Sequence, residues 1–225
     1  MKDLITIGLP SKGRLKEKSI SFFNDRGLKI IQSEKERNYF GAIENKPNVK
    51  IIFLHAKEII QRLGDGTLDI GISGLDLLKE SDINLQNKIN IQKKLDYGNA
   101  NLVIAVPDDW IDVQTIADLE EISFDMKSKR NTRLRVATKY PNLTNDFLIS
   151  KGVTQYKLIS SLGATETYPF IGSSEIITDI TSTGKTLADN NLRVLKDGLI
   201  LSSNACLFIA KKKAAKLQPF LKSFE

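Results

Sequence analysis

The segment IQKKLDYGNANLVIAVP, at residues 91–107, is a long extended run that is interrupted only at Gly98. A second long, β-rich segment, LRVLKDGLILSSNACLFIA, covers residues 192–210. Extended segments of this length can pass from one lobe of a protein into another, because a single strand usually has only about five or six residues. The pair therefore predicts two α/β lobes joined by a double crossover, with the second lobe inserted into the first. The predicted boundaries are 1–96 plus 199–225 for lobe I and 97–198 for lobe II.

Short apolar runs alternate with amphipathic stretches in both predicted lobes. Such alternation predicts a parallel sheet that is covered by helices. Six of these runs are predicted to be buried strands: LITIGL (4–9), VKIIFL (49–54), LDIGIS (68–73), LRVATK (134–139), YKLIS (156–160) and EIITDI (175–180). Helices are expected after each of the first four strands, and another is expected to start at Gly163.

Composition indicates a globular protein in a reduced compartment. The 225 residues are 41% hydrophobic and 27% charged, and the only cysteine and histidine are Cys206 and His55. A disulfide or a Cys-cluster metal site is therefore excluded within the chain, and Cys206 is expected to be inert core. No apolar run has the length of a membrane span or of a signal peptide, so we expect a cytoplasmic protein without a membrane role.

The charge balance of 33 − 27 = +6 suggests an anionic partner. The basic residues are dispersed, apart from a run of three lysines at 211–213, and aromatic residues make up only 7% of the chain. Nucleic-acid binding therefore has no support beyond the charge itself. A small phosphorylated ligand is the favoured partner.

The segment EIITDITSTGKTL, at residues 175–187, carries the clearest chemical signal. An apolar strand ends in Asp179, and a hydroxyl-rich turn with Gly184 leads into a helix. Successive amides in such a turn can bind a phosphate, and Gly184 allows a positive φ or a close approach of the ligand. The alternative is an ordinary N-capping turn, since serine and threonine are favoured there in any case. The spacing does not match a Walker A loop.

Several motifs, in order along almost the whole chain, resemble the ATP phosphoribosyltransferase family. They are LPSKGRL (9–15), GTLDIGISGLDLL (66–78), LDYGNANLVIAVP (95–107), RVATKYPNLT (135–144), GATE (163–166) and ITDITSTGKTLADNNL (177–192). The resemblance implies two α/β lobes like those of type II periplasmic binding proteins. It also implies a reaction in which N1 of ATP attacks C1 of phosphoribosyl pyrophosphate (PRPP), with release of pyrophosphate and with Mg²⁺ as cofactor.

The family resemblance also implies partners. Longer members of the family carry a carboxy-terminal domain that binds histidine, and we expect none here because the sequence reaches only Glu225. It therefore looks like the short form, a homo-oligomer that pairs with a regulatory subunit resembling histidyl-tRNA synthetase.

The resemblance assigns lobe II to PRPP. The 5′-phosphate is expected in the loop formed by Thr181, Ser182, Thr183, Gly184, Lys185 and Thr186. Glu166 and Asp179 are expected near the ribose and the metal, with Asp179 acting in catalysis and reaching Mg²⁺ through the ribose or through water.

Lobe I is assigned to ATP. Lys12, Gly13 and Arg14 form a turn that opens a helix, and two cations there suit a triphosphate or the departing pyrophosphate. Arg14 is expected to act in catalysis as well. Asp69, Ser73 and Gly74 are expected on the same rim, at the end of the third strand. The alternatives are a solvated helix start for Lys12 and Arg14, a turn cap for Asp69 and tight packing for Gly74. The role of His55 stays open, because many relatives have arginine or another residue at that position.

Three other functions remain as alternatives. A solute-binding protein of the same two-lobed fold would lack chemistry, and a different phosphoribosyltransferase class would carry paired acids before its loop, where this chain has only Asp179. A nucleic-acid-binding module is supported by charge alone.

Overall fold

The computed structural model describes residues 4–32 and 39–224, which form two compact units. Unit 1 contains the described residues up to Gly98 and those from Asn204 onward, and unit 2 is Asn99–Ser203. The chain thus passes between the units twice, after Gly98 and after Ser203. None of the helices in the described residues is both long and apolar enough to cross a membrane.

Strands and helices are numbered here in chain order across both units. The strands are β1 Ile5–Pro10, β2 Ile30–Gln32, β3 Phe40–Ile43, β4 Lys46–Leu54, β5 Ile70–Gly74, β6 Ile89–Lys94, β7 Ala100–Pro107, β8 Leu134–Thr138, β9 Tyr156–Ser160, β10 Ile176–Thr181, β11 Leu192–Ser203 and β12 Ala205–Ala210. The helices are α1 Gly13–Asn24, α2 Ala56–Asp65, α3 Leu75–Glu80, α4 Ile83–Gln86, α5 Ile116–Arg130, α6 Pro141–Ser150, α7 Lys185–Asp189 and α8 Ala214–Leu221.

Unit 1 is built on a seven-stranded sheet in the order β2-β3-β4-β1-β5-β12-β6. Its centre is parallel, since β1 pairs with both β4 and β5 in that sense. The expectation of a parallel sheet is wrong for the flanks, where β12 runs against β5 and β6, and β3 runs against β4. The physical reason is the connection: β12 returns from unit 2 and needs no crossover helix to lie antiparallel beside β5.

Both faces of this sheet are covered, so side chains that alternate along a strand enter two different cores. Ala205, Leu207 and Ile209 pack with the aromatic residues of α1, whereas Cys206, Phe208 and Ala210 pack with the apolar side of α2. Cys206 is fully buried, and burial raises the pKa of its thiol to about 11. The thiol therefore stays protonated at neutral pH, in agreement with the expected core role.

Asp69 lies at the amino end of β5 and is only 2% exposed. Its carboxylate accepts a hydrogen bond from the backbone N–H of Thr6 at 2.7 Å and lies 2.7 Å from the Nζ of Lys213. Lys213 comes from the turn that precedes α8. An ion pair between a buried carboxylate and a partly exposed lysine thus links β1, β5 and the C-terminal segment of unit 1.

Unit 2 has a five-stranded sheet in the order β11-β7-β10-β8-β9. β8 pairs in parallel with β9 and β10, whereas β7 is antiparallel to β10 and β11. The sequence analysis did not predict α5, which begins at a capping box formed by Thr115 and Asp118. The prediction of a helix from Gly163 is wrong, because only a single 3₁₀ turn forms there, at Thr165–Thr167.

Candidate active site

The parallel strands of unit 2 create a crevice at their carboxyl ends. The connection from β8 leads to β9 on one side, and the chain then returns to β10 on the other side of β8. The loops that follow β8 and β10 therefore separate at this point, and ligands of open α/β sheets bind in such a crevice. The residues presented there are Lys139 and Tyr140 after β8 and the loop 181–186 after β10.

The loop after β10 is short, hydroxyl-rich and largely exposed. Gly184 adopts φ +74°, with open space where a Cβ would lie, so glycine is required there for its backbone conformation rather than for room. Thr181 Oγ1 accepts a hydrogen bond from the Gly184 N–H at 2.9 Å, and Thr183 Oγ1 accepts a longer one from the Lys185 N–H. Two of the amides expected to face a phosphate are thus already bound by hydroxyl groups of the loop.

The remaining donors of this loop are available. Within the described residues, the N–H groups of Ser182 and Thr183 make no intramolecular hydrogen bond. The side chains of Ser182, Thr183, Lys185 and Thr186 are exposed. The loop therefore offers free amides, exposed hydroxyl groups and one ammonium group, a set of donors that suits a phosphate.

Asp179 is the charged centre of the crevice. It is half-buried near the carboxyl end of β10, and its Oδ1 accepts a hydrogen bond from the backbone N–H of Ile180 at 2.8 Å. Burial raises the pKa of the Asp179 carboxyl, and the nearby Glu166 raises it further, whereas the Ile180 hydrogen bond and Lys139 lower it. Two acids and one cation therefore interact at this point.

A backbone corner positions Glu166. The residue lies in the 3₁₀ turn, which follows Ala164 in the left-handed region at φ +44°. The turn is held from within, because the buried hydroxyls of Ser161 and Thr165 are 2.9 Å apart. A non-glycine residue with positive φ is uncommon and is found where surrounding structure imposes it, often at functional sites.

Lys139 is a residue to which sequence reasoning assigned no chemistry. The motif RVATKYPNLT contained the signal, but only the fold brings Lys139 close to Asp179. The corner behind it is rigid: Thr138 Oγ1 accepts a hydrogen bond from the Tyr140 N–H at 2.9 Å and lies 3.2 Å from Thr144 Oγ1.

Unit 1 has a corresponding crevice beside β1. The chain leaves β1 through α1 toward β4 on one side and reaches β5 on the other side through α2. Lys12 is the N-cap of α1 and provides no side-chain hydrogen bond to it, and the first turn contains no acidic residue. Lys12, Gly13 and Arg14 are exposed. Cations at a helix N-terminus oppose the helix dipole, so this arrangement favours a bound anion.

The structure separates Asp69, Ser73 and Gly74. Asp69 lies at the amino end of β5, opposite the edge on which it was expected, because the strand begins after it. The buried Ser73 hydroxyl donates to the backbone carbonyl of Ala56 at 2.8 Å. Gly74 lies at the carboxyl end, where a Cβ would come within 2.3 Å of Asp76 Oδ1.

His55 caps α2 at the carboxyl end of β4. Its Nδ1 accepts a hydrogen bond from the Lys57 backbone N–H at 3.3 Å, and the imidazole is exposed. An acceptor Nδ1 leaves Nε2 as the donor atom that faces solvent. The structure thus shows a capping role.

Fold and site together define the class: a two-unit α/β protein whose parallel strands end in loops with exposed cationic side chains and unbonded backbone amides. Solved structures with this fold include the ancestral amino acid-binding protein AncCDT-1, at a TM-score of 0.57 and 14% identity, covering 99% of this chain and 88% of that one. Arginine-bound ArgBP from Thermotoga maritima matches at a TM-score of 0.55 and 13% identity, over 98% of this chain and 94% of that one.

Stronger similarities lead to one family. The ATP phosphoribosyltransferase family model matches residues 55–225. ATP phosphoribosyltransferases of Brucella melitensis biotype 2 and of Chelativorans sp. are each 44% identical to this chain. The alignment with the Brucella protein covers 92% of this chain and 90% of that protein. The alignment with the Chelativorans protein covers 93% of this chain and 91% of that protein.

A solved structure has the same fold. The Thermotoga maritima ATP phosphoribosyl transferase (HisG:HisZ) complex matches at a TM-score of 0.73 and 24% identity, over 98% of this chain and 96% of that one. This chain belongs to the ATP phosphoribosyltransferase family. It is a transferase that moves the phosphoribosyl group of PRPP to N1 of ATP and releases pyrophosphate, in the first step of histidine biosynthesis.

Proposed function

We propose that unit 2 binds PRPP and that unit 1 binds ATP. The observation that carries this proposal is the grouping of Asp179, Glu166 and Lys139 beside the hydroxyl-rich loop at the carboxyl ends of β8 and β10. The 5′-phosphate binds in the loop 181–186, through the free amides of Ser182 and Thr183, the hydroxyl groups and Lys185. The two carboxylates bind the ribose hydroxyls.

In this mechanism the chain provides orientation and electrostatic stabilisation. Adenine N1 carries a lone pair in its neutral form, so no general base is needed for its attack. Positive charge develops on the ribose as the bond to pyrophosphate breaks, and carboxylates that hold the ribose hydroxyls stabilise that charge. Interactions that strengthen in the transition state accelerate the step. Lys139 balances the charge of the two acids before PRPP binds.

The acids fit magnesium that arrives with PRPP. No group of three or more His, Cys, Asp or Glu side chains that could hold a metal occurs in the described part of the chain. Mg²⁺ is commonly bound through one or two carboxylates together with substrate phosphates. Asp179 and Glu166 offer these oxygen ligands, and a cation would offset their mutual repulsion. Bound Mg²⁺ would neutralise charge on the pyrophosphate as it leaves.

Lys12, Gly13 and Arg14 are proposed to bind the triphosphate of ATP or the departing pyrophosphate. The free start of α1 and the two exposed cations support this role. Gly74 is proposed for the same rim, where its lack of a side chain makes room for the Asp76 carboxylate. Asp69 and Ser73 make internal contacts, so we assign them to the support of β5 rather than to nucleotide contact.

The name of one solved structure supports a protein partner. The Thermotoga maritima structure is named as a HisG:HisZ complex. We propose that this chain also assembles with a regulatory subunit, one that resembles histidyl-tRNA synthetase, and that it does so as a homo-oligomer in the cytoplasm. Activity with and without that subunit tests the assembly.

The direct test of the reaction mixes the protein with ATP, PRPP and Mg²⁺ and follows the near-ultraviolet absorbance of the product. Pyrophosphatase is added to remove pyrophosphate and pull the equilibrium forward. A solute-binding protein or a nucleic-acid-binding module would give no signal. A phosphoribosyltransferase of another class would not consume ATP as the acceptor.

Gly184→Ala tests the phosphate loop. Alanine in the left-handed region costs roughly 1–2 kcal/mol, so the loop should shift and the KM for PRPP should rise about tenfold. Gly152→Ala is the matched control, because Gly152 has φ +83° and equally open space but lies in the turn after α6. Both variants should lose similar stability in urea unfolding. Equal KM values for PRPP in the two variants would contradict phosphate binding by the loop.

Arg14→Ala tests the anion site of unit 1. The loss of one preorganised donor to the departing pyrophosphate should lower kcat about 100-fold, with little change in the KM for PRPP. Arg62→Ala, at the far end of α2, removes an exposed arginine and should leave steady-state kinetics unchanged. A rise in the KM for ATP with kcat intact would assign Arg14 to the triphosphate instead.

A further inference from the structure

Unit 2 contains a cavity of about 550 Å³ at the edge of its sheet opposite the crevice. It lies at the amino ends of β8 and β10, beside the end of the antiparallel β7. Its volume falls within the range of small-molecule sites. The residues that matter for the argument are Asp108, Asp109, Trp110, Arg135, Phe170 and Ser174.

Hydrogen bonds and an ion pair hold the walls of this cavity. Arg193 donates hydrogen bonds to the carbonyls of Trp110 and Val113, which holds one wall from behind. Arg135 forms a close ion pair with Glu175, at 2.6 Å, and donates to the carbonyl of Gly172 at 2.9 Å, which holds the other wall. Because Arg135 and Glu175 neutralise each other, neither supplies free charge to a ligand.

The groups that remain favour a cation with an apolar body. Asp108 and Asp109 are exposed and form no ion pair within the described residues. Trp110 and Phe170 provide aromatic surface, and Phe170 is 54% exposed. The Ser174 hydroxyl is buried and has no hydrogen-bond partner in the described part of the chain. Carboxylates and aromatic rings together attract organic ammonium ions.

One segment connects this cavity to the crevice. The 3₁₀ turn with Glu166 leads, within three residues, to Pro169 and Phe170 in the cavity wall. Tyr168, between them, packs on the sheet face against the core that contains Ile177. A shift of the wall would therefore be transmitted along a short, packed stretch of backbone to Glu166.

We propose that this cavity is a second ligand site, which takes a small organic ammonium compound with an aromatic or aliphatic body, and that its occupancy changes the affinity for PRPP. The binding part stands on the cavity alone. The coupling part rests on the proposed role of Glu166 in the PRPP site.

Trp110 provides a direct readout, because it is the only tryptophan of the chain. Benzylamine, which is protonated at neutral pH, should change the tryptophan fluorescence in a saturable manner. Benzyl alcohol, its neutral counterpart, should bind about tenfold more weakly. A response that does not saturate, or equal affinity for the two compounds, would overturn the proposed site.

Variants locate the site and test the coupling. Asp108→Asn combined with Asp109→Asn should weaken benzylamine about tenfold, whereas Asp146→Asn, an exposed acid on α6, should not. Phe170→Ala should also weaken it, since an aromatic wall is lost without a change in the core. The two binding equilibria are thermodynamically linked. Saturating benzylamine should therefore change the Kd for PRPP by a certain factor, and saturating PRPP should change the Kd for benzylamine by that same factor.

The two proposals fail separately. Saturable benzylamine binding with no mutual effect on PRPP affinity, measured by calorimetry, would overturn the coupling. Glu166→Gln with unchanged PRPP binding would instead refute the proposed PRPP site while leaving the fluorescence response intact.

Discussion

Asp179→Asn should lower kcat/KM for PRPP about 1,000-fold, the largest loss of activity that we expect from a single side chain in unit 2. The variant keeps the size of the side chain and an oxygen that can accept the Ile180 N–H. It loses the charge that, in the proposed mechanism, stabilises the reacting ribose. Asp112→Asn, an exposed acid elsewhere in unit 2, is the control. Wild-type kinetics in Asp179→Asn would remove this residue from the mechanism.

The same substitution should leave the fold as stable as before or make it more stable at pH 7. Burial raises the pKa of Asp179 in the folded protein, so the folded state binds more protons than the unfolded state once the pH passes the unfolded pKa of about 3.9. Stability of the wild type must therefore decline as the pH rises from that value through the folded pKa. Asparagine does not titrate and escapes this loss.

Thermal unfolding of both proteins at acidic and neutral pH measures this effect. The Tm of Asp179→Asn minus the Tm of the wild type should be larger at pH 7 than below pH 4. A variant that is less stable than the wild type at pH 7 would show that the carboxylate supports the fold rather than the reaction.

Lys213→Ala should cost about 3 kcal/mol in the free energy of unfolding, because it leaves the buried Asp69 carboxylate without its cation. Asp69→Asn should cost less, about 1–2 kcal/mol, since asparagine still accepts the Thr6 N–H and the partly exposed Lys213 can turn to water. Urea unfolding at constant pH measures both values.

Neighbouring lysines supply the control for this pair. Lys211 and Lys212 are exposed members of the same triplet, and their substitution by alanine should change stability by less than about 0.5 kcal/mol. The double variant Asp69→Asn with Lys213→Ala should be more stable than Lys213→Ala alone, because no buried charge is then left unpaired. Strictly additive losses would show that the two side chains do not interact.

Local patterns predicted the elements around the two crevices. The apolar runs before Lys12 and before the loop 181–186 are strands, and each is followed by a helix. The hydroxyl-rich turn with Gly184 was recognisable, since a positive φ next to a strand end favours glycine. Assignment of the family likewise came from motifs that are contiguous in the chain.

Other features depend on partners that are distant in sequence. α5 carries charged residues along most of its length, so its apolar periodicity is weak, and its Thr115–Asp118 cap was the only clear signal. Asp69 was expected on the nucleotide rim because its motif is contiguous with Gly74. Only the register of β5 shows that the two residues lie at opposite ends of the strand.

Residues that are neighbours along the chain were enough to predict most of the strands, the hydroxyl-rich turn with Gly184 and the family. Tertiary structure alone decided that Lys139 and Glu166 meet Asp179, that two loop amides are already bound, and that Lys213 rather than its neighbours pairs with Asp69. The physical reason is that burial and charge pairing are set by strand order and register, which bring together groups that no local pattern relates.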